Sequence, residues 1–181
     1  MTLSKQDYQE YLGIHFHLLY FTGCYNGIFP ENYDFKDFLK TRFEPKAVCR
    51  DVFLEEKDEI LDELIGNNHN LPENWLSILN GFRKSVKGEF VFLKCLSKHS
   101  IFKNLENEKF YAVKALSDSF ETLIPDYPAI VELCILPFKD EIIYDGFIKG
   151  GNIKIGKNIH KSLNEEYKQA KENKEIIYSL K

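Results

Sequence analysis

The chain has few of the residues and spacings that mark chemistry. Its four cysteines, at 24, 49, 95 and 134, form no C-x-x-C pair and no close Cys/His set, so they read as buried reduced thiols without a disulfide or metal role. No apolar run approaches the length of about 18 residues that a membrane span needs. The polar start from Met1 to Asp7, followed by an apolar stretch interrupted by His15 and His17, is unlike a secretory signal. The expectation is a cytoplasmic chain with no membrane partner. A strong charge of one sign is also missing. Twenty-four basic and 28 acidic side chains leave −4, so the chain as a whole lacks the cationic excess of nonspecific phosphate binders, and nucleic acid is left to a local basic patch. There is no G-x-S-x-G elbow, no internal repeat and no low-complexity linker.

What is plentiful is core material. With 181 residues, 44% hydrophobic and 14% aromatic, the chain holds enough apolar side chains for one ordinary domain. The first half has helical spacing. Ser4, three residues before Asp7, has the offset of a capping box and starts a helix whose stripe is Tyr8, Leu12, His15, Phe16 and Leu19. Gly23, Asn26 and Gly27 punctuate the next segment and Pro30 closes it, before a short helix from Asp34 to about Lys40. Pro45 suits the first position of a longer helix, because its missing amide would be unpaired there anyway. That helix carries Val48, Val52, Ile60, Leu64 and Ile65, and stops at Gly66 and the Asn pair after it. Pro72 opens another, with Trp75, Leu76, Leu79 and Phe82 on one side, ending before Gly88.

From Glu89 the period changes to two, with Phe90, Phe92 and Lys94 alternating with Val91, Leu93 and Cys95, which predicts a strand. His99 to Phe102 extends or bends it, and the polar turn from Asn104 to Glu108 leads to an antiparallel partner from Phe110 to Leu116. Ser117 to Ile124 is a short link ended by Pro125 and Pro128. The runs Ile130 to Leu136 and Ile142 to Ile148 then have hairpin spacing. Both faces of the first run are apolar apart from Glu132, which places the hairpin centrally, covered on both sides. Gly150 and Gly151 make a bend before a short edge strand from Ile153 to Ile155, and Ser162 with Glu165 has the capping-box offset for a last helix. The fold class expected is α+β in a single domain, 1–181. Residues 1–86 form its helical part; residues 87–181 form an antiparallel sheet of about four to five strands and a closing helix.

As a whole, the second half resembles an uncharacterised family of prokaryotic hypothetical proteins. The resemblance is carried by Lys87-Gly88-Glu89-Phe90-Val91-Phe92-Leu93-Lys94, His99-Ser100-Ile101-Phe102, Tyr111-Ala112-Val113 and Leu116-Ser117-Asp118. Leu136-Pro137-Phe138-Lys139, Ile142-Ile143-Tyr144-Asp145-Gly146 and Lys161-Ser162-Leu163-Asn164-Glu165 extend it. It runs in order from about Glu55 to Leu180, most closely from Gly88. It implies a prokaryotic or phage origin and supplies no mechanism.

Several candidate sites follow from residue types. Gly151 to Asn158 comes within one residue of a phosphate-binding P-loop, but Asn158 stands where a magnesium-binding hydroxyl is required and too little chain follows for the parallel α/β domain such loops serve. A bend and a short strand are expected there, with Lys154, Lys157 and Lys161 offering an anion contact. Lys87 to Leu93 has the look of an RNA-stacking strand with the aromatic register wrong, so a core strand is expected. His15 and His17 point to different sides of a helix and make no metal pair; His69 and His160 read as solvated. No cofactor is implied. Cys95 and His99 share a strand face about 13 Å apart unless the chain bends between them, too far for proton transfer. Asp140, Glu141 and Asp145 bracket the hairpin and are the carboxylates best placed for acid–base work, with His99 nearby, although turn chemistry explains Asp140 and Asp145 equally. Tyr144 has no such explanation, and with Lys139, Asp140, Glu141, Asp145 and His99 it completes the candidate binding surface. The acidic run from Glu55 to Glu63 reads as a solvated helix face able to mimic phosphate toward a basic partner.

Abundant architecture without a catalytic motif favours a noncatalytic interaction or regulatory protein whose partner is another protein, within which a phage or mobile-element inhibitor of a nucleic-acid enzyme is one form. The alternatives are a small carboxylate-dependent hydrolase or transferase and a nucleic-acid-binding module.

Overall fold

The structure is a computed structural model that describes residues 1–30, 32–67 and 71–181. It is α+β, with a helical N-terminal half, a five-stranded sheet and a closing helix. Its contacts resolve two compact units, residues 9–83 and residues 1–8 with 84–181. The first helix, α1 (Lys5–Tyr25), starts in one unit and continues in the other. Its start is the expected cap: the Asp7 amide donates to Ser4 Oγ at 3.1 Å and the Ser4 hydroxyl to the Asp7 carboxylate at 2.7 Å.

The helical unit continues with α2 (Phe35–Lys40), α3 (Phe43–Glu55), α4 (Lys57–Asn67) and α5 (Glu73–Gly81). Asp34 caps α2 by accepting the Lys36 amide, and Pro72 stands directly before α5, where a missing N–H costs nothing. The buried positions of α1 are Tyr11, Ile14, Leu18 and Leu19, together with His15, Thr22 and Gly23. That stripe is rotated from the expected one, because Tyr8, Leu12 and Phe16 are only half-buried. Phe38 organises the core, with the rings of Phe16, Tyr20, Phe29 and Phe35 at 5.7–6.3 Å. The single long helix expected from Pro45 to Gly66 is two helices. The backbone turns at Glu56, whose N–H still bonds Val52, and restarts at Lys57, with no Pro or Gly to announce the break. Pro45 is the third helical residue and Gly66 lies inside α4. His69 lies outside the described residues.

The second unit is a closed barrel of five strands: β1 (Val86–Cys95), β2 (Ser100–Asn104), β3 (Phe110–Lys114), β4 (Ala129–Phe138) and β5 (Glu141–Lys154), ordered β1-β2-β3-β5-β4. Strands β1, β2 and β3 form a meander, and β4 returns beside β1, which is a Greek key. Four of the strand pairings are antiparallel, and β3 with β5 is parallel over Val113–Ile142 and Lys114–Ile143. The sheet is therefore mixed rather than wholly antiparallel. The expected single pair of strands before residue 117 is three, because Leu96 to His99 is a tight reversal, with Leu96 N–H bonded to His99 O at 2.9 Å.

The apolar hairpin has its predicted place, with no free edge: β4 pairs with β1 on one side and β5 on the other. Its turn is shorter than the sequence suggested, only Lys139 and Asp140 intervening between the paired residues Phe138 and Glu141. Gly150 and Gly151, both at φ +89°, form a bulge within β5 instead of ending it. A Cβ on Gly150 would also approach the Ile130 carbonyl to 3.2 Å, so both dihedral and space require glycine.

Aromatic rings fill the barrel: Phe92 stacks on Phe102 at 5.1 Å, and Phe120 on α6 (Phe120–Leu123) closes over Phe102 at 4.8 Å and Tyr144 at 5.0 Å. Burying each such ring is worth about 1.5–3 kcal/mol. The alternate residues of β1, β2 and β3, namely Val91, Leu93, Ile101, Phe110 and Ala112, form a second core with Leu163, Tyr167 and Ala170 of α7 (Lys157–Glu172) and with Ile176. Both faces of these strands are thus buried, which is why they read as continuous apolar runs. Helix α7 begins at Lys157, five positions before the expected cap; Ser162 lies inside it, donating to Glu166 at 3.2 Å.

Both chain ends pack along β3. Leu3 N–H reaches the carbonyls of Ala115 and Leu116 at 3.0 Å. Past α7, Ile177 pairs in parallel with Tyr111, its N–H to Phe110 O and Ala112 N–H to its carbonyl, both at 2.9 Å.

Candidate functional site

The hairpin tip places its charged residues in separate local bonds. Lys139, held at φ +54°, pairs its ammonium with Asp7. That bond, ahead of the Ser4 hydroxyl, holds the Asp7 carboxyl below the usual carboxylate range. Glu141 pairs with Lys114 of β3, and Asp140 is exposed on the turn. Further along β5, Asp145 is 3% exposed, and one of its oxygens accepts the Phe147 amide at 3.1 Å. Tyr144 points into the barrel against Phe120, and burial, then the charge of Asp145, pushes its phenol well above the usual range. Packing inside the barrel therefore accounts for Tyr144.

His99 lies in the β1–β2 reversal, half-buried, with no hydrogen-bond partner for Nε2 among the described residues and its ring edge-on to Tyr178 at 5.3 Å. Burial lowers its pKa; Glu141 opposes the shift, while Lys114 and Lys98 add to it. Of the sequence candidates, only Glu141 acts on His99, through its charge, while its own carboxylate is paired with Lys114, and Asp140, Tyr144 and Asp145 lie in other settings. The reversal also folds Cys95 back toward Ser100, whose Oγ is 3.2 Å from the thiol sulfur. Burial raises the Cys95 thiol. Both groups are biased toward their neutral forms, the opposite of the thiolate–imidazolium pair that a cysteine nucleophile uses.

The lysines of the P-loop-like segment lie at the end of β5 and in the first turns of α7. The Lys154 side chain lies outside the described residues. Lys157 is the exposed first residue of α7, beside a small hollow of about 370 Å³ that it shares with Gly156, Asn158 and Ile159. Lys161 is exposed one turn further on and does not line that hollow. Among the described residues no group of three His, Cys, Asp or Glu side chains is placed to hold a metal, and no helix is long and apolar enough to cross a membrane.

The larger described groove, about 910 Å³, lies where sequence reasoning did not look, between α7 and the β2–β3 hairpin. Phe110, Ala170 and Ile177 supply its apolar lining. Lys103, Lys109, Glu108, Glu166 and Glu175 set charges of both signs around it, and Gln169 and Asn173 add amides. Lys103 bonds Glu166 at 2.5 Å, which draws the Glu166 pKa down. None of Asp140, Glu141, Asp145 or His99 lines this groove. The available signal was the apolar spacing Leu163, Tyr167, Ala170 in the last helix and the Ile176-Ile177-Tyr178 run after it.

Five-stranded Greek-key barrels of the oligonucleotide- and oligosaccharide-binding class use the face of strands 2 and 3 for their ligands. Here α7 covers that face, through the second core and through bonds from Lys94 to Asn164 and from Lys103 to Glu166. No family model matches the chain, and neither a curated protein nor a solved structure matches it.

Proposed function

We propose that the chain is a noncatalytic protein-binding module that takes an extended segment of a partner protein in the groove between α7 and β3. The observation that carries this reading is the groove itself, an apolar lining ringed by both signs of charge beside a strand edge that already accepts strand pairing. Mixed charge suits a peptide better than a polyanion. A cytoplasmic setting and a prokaryotic or phage origin belong to the same proposal. The narrower form, an inhibitor of a nucleic-acid enzyme, draws on the exposed acids of α3 and α4. There Asp58 and Asp62 already hold Arg83, which leaves less of that face for a basic partner.

A carboxylate-dependent hydrolase draws its support from the charge of Glu141 acting on His99. Against it, Glu141 is engaged by Lys114 and Asp145 is buried on a backbone amide. A nucleic-acid module draws support from the barrel alone, whose customary face lies under α7.

The test is a peptide library displayed on phage and selected on the immobilised full chain, with the enriched peptides then measured against Lys109→Glu and Gln169→Arg. Both positions are exposed, so folding should be preserved. Selected peptides should lose about tenfold in affinity, near 1.4 kcal/mol. Peptides that bind wild type and variants equally, or no enrichment at all, would sink the reading.

A further inference from the structure

The last residues of the chain show how an extended segment engages this groove. Lys174, at φ +60°, turns the chain sharply after α7, with Glu175 N–H bonded to Ala170 O at 2.8 Å. Three consecutive residues then play three distinct parts. Ile176 is 7% exposed and enters the core made by Leu163, Tyr167 and the outer face of β3. Ile177 supplies both of the strand bonds, its N–H to Phe110 and its carbonyl to Ala112, and lines the groove. Tyr178 is 52% exposed, and its ring meets the edge of His99 at 5.3 Å.

β3 needs such an occupant. On one side it pairs with β2 along Phe110–Val113; on the other it meets β5 only from Val113 onward, so Phe110 to Ala112 would present unpaired backbone groups to a strand of suitable direction. The tail fills that gap through a single bridge residue, and it follows a helix whose own attachment comes from Leu163, Tyr167 and Ala170. A segment held to β3 by that one bridge can open locally while the barrel and α7 stay folded.

We propose that this seam is a strand-recognition site for a partner protein's extended segment of the pattern aliphatic–aliphatic–aromatic, running parallel to β3, and that Ile176-Ile177-Tyr178 is its resident, displaceable occupant. The proposal rests on the protein-binding reading and sharpens it. The first aliphatic residue fills the core pocket, the second supplies the paired backbone, and the aromatic ring rests on His99. The tail is thereby a built-in competitor, and any partner must outbid it.

The experiment uses the full-length chain and a fluorescein-labelled peptide with the sequence of residues 174–181. Ile177→Pro removes the N–H that bonds Phe110; Ile176→Asp expels the tail from its pocket as a second, independent route. Hydrogen exchange at the Ala112 amide reports whether the tail has left. The expected result is faster Ala112 exchange in both variants, restored by added peptide, and peptide affinity at least about tenfold higher than for wild type. A peptide carrying proline at the position of Ile177 should not bind. Equal affinity for wild type and variants overturns the proposal. So does Ala112 protection that persists in both variants, which makes the tail a fixed strand, or exposed Ala112 with no peptide binding. A wild-type dimer that Ile177→Pro dissolves would assign the seam to a second copy and overturn the partner reading. The two proposals fail separately: groove-binding library peptides without the three-residue pattern would preserve the protein-binding module while removing the strand site.

Discussion

Acidification should weaken the helical unit through one residue, His15, by an amount that can be worked out beforehand. The imidazole is fully buried in α1, stacked on Tyr11 at 5.1 Å and 20°, and burial, with the charge of Arg50 added, lowers its pKa to about 3. The unfolded chain titrates near 6.5. The folded value is the lower one, so between pH 6.5 and 3 the unfolded state binds more protons and stability falls as pH falls. The full difference of about 3.5 pH units corresponds to about 5 kcal/mol, approached only below pH 3; at pH 5 the loss relative to pH 8 is about 2 kcal/mol. Urea unfolding at pH 8 and pH 5 measures it. Trp75 is the only tryptophan and lies in the 9–83 unit, so its fluorescence follows that unit. With a urea dependence of about 2 kcal/mol per molar, the midpoint should drop by about 1 M more in wild type than in His15→Phe, which keeps an aromatic ring against Tyr11 and cannot titrate. All other ionisable groups are common to both chains. Equal midpoint losses in the two would refute the buried, neutral His15.

Two glycines of α1 should respond oppositely to alanine. At Gly13 a Cβ would touch Trp75 at 3.4 Å, an ordinary contact, so helix propensity should stabilise Gly13→Ala by up to about 1 kcal/mol. At Gly23 it would lie 2.4 Å from the Phe29 ring and 2.9 Å from the Cys49 sulfur, so Gly23→Ala should cost about 1–3 kcal/mol; Trp75-monitored urea unfolding separates the two signs. Lys139→Ala should raise the Asp7 pKa toward 3.8, as read by carboxyl-carbon NMR titration. Because the folded Asp7 pKa is depressed, its contribution is present above pH 3.8 and fades as pH falls through the folded value, and the variant should lose that acid-limb dependence; an unchanged titration would remove the Asp7–Lys139 bond from the account.

Local chemistry was legible wherever neighbours in sequence decide the outcome. Ser4 with Asp7, Asp34 before α2, Pro72 before α5 and the apolar hairpin of β4 and β5 all follow from backbone donors, fixed dihedrals or side-chain alternation. Errors fell where distant packing outweighed those signals. The break at Glu56 has no breaker residue, the Gly150–Gly151 pair bulges a continuing strand, and α7 starts well before the capping-like Ser162.

The site was less legible than the fold. The carboxylates of the hairpin are neighbours in sequence, yet strand alternation and ion pairing send Asp140 to solvent, Glu141 to Lys114 and Asp145 to a buried amide. The groove joins residues of β2, β3, α7 and the tail, and no spacing rule reports that assembly.

By itself, then, the sequence determined the helical first half, the apolar strands and the absence of any catalytic motif, because those depend on periodicity and residue chemistry alone. Tertiary structure alone decided the parallel closure of β3 on β5, the covering of the β2–β3 face by α7 and the pairing of Ile177 with Tyr111. Apolar strands buried on both faces carry no mark of which neighbour they pair with, so only closure of the barrel, which pairs each strand with a neighbour on either side, selects the partners.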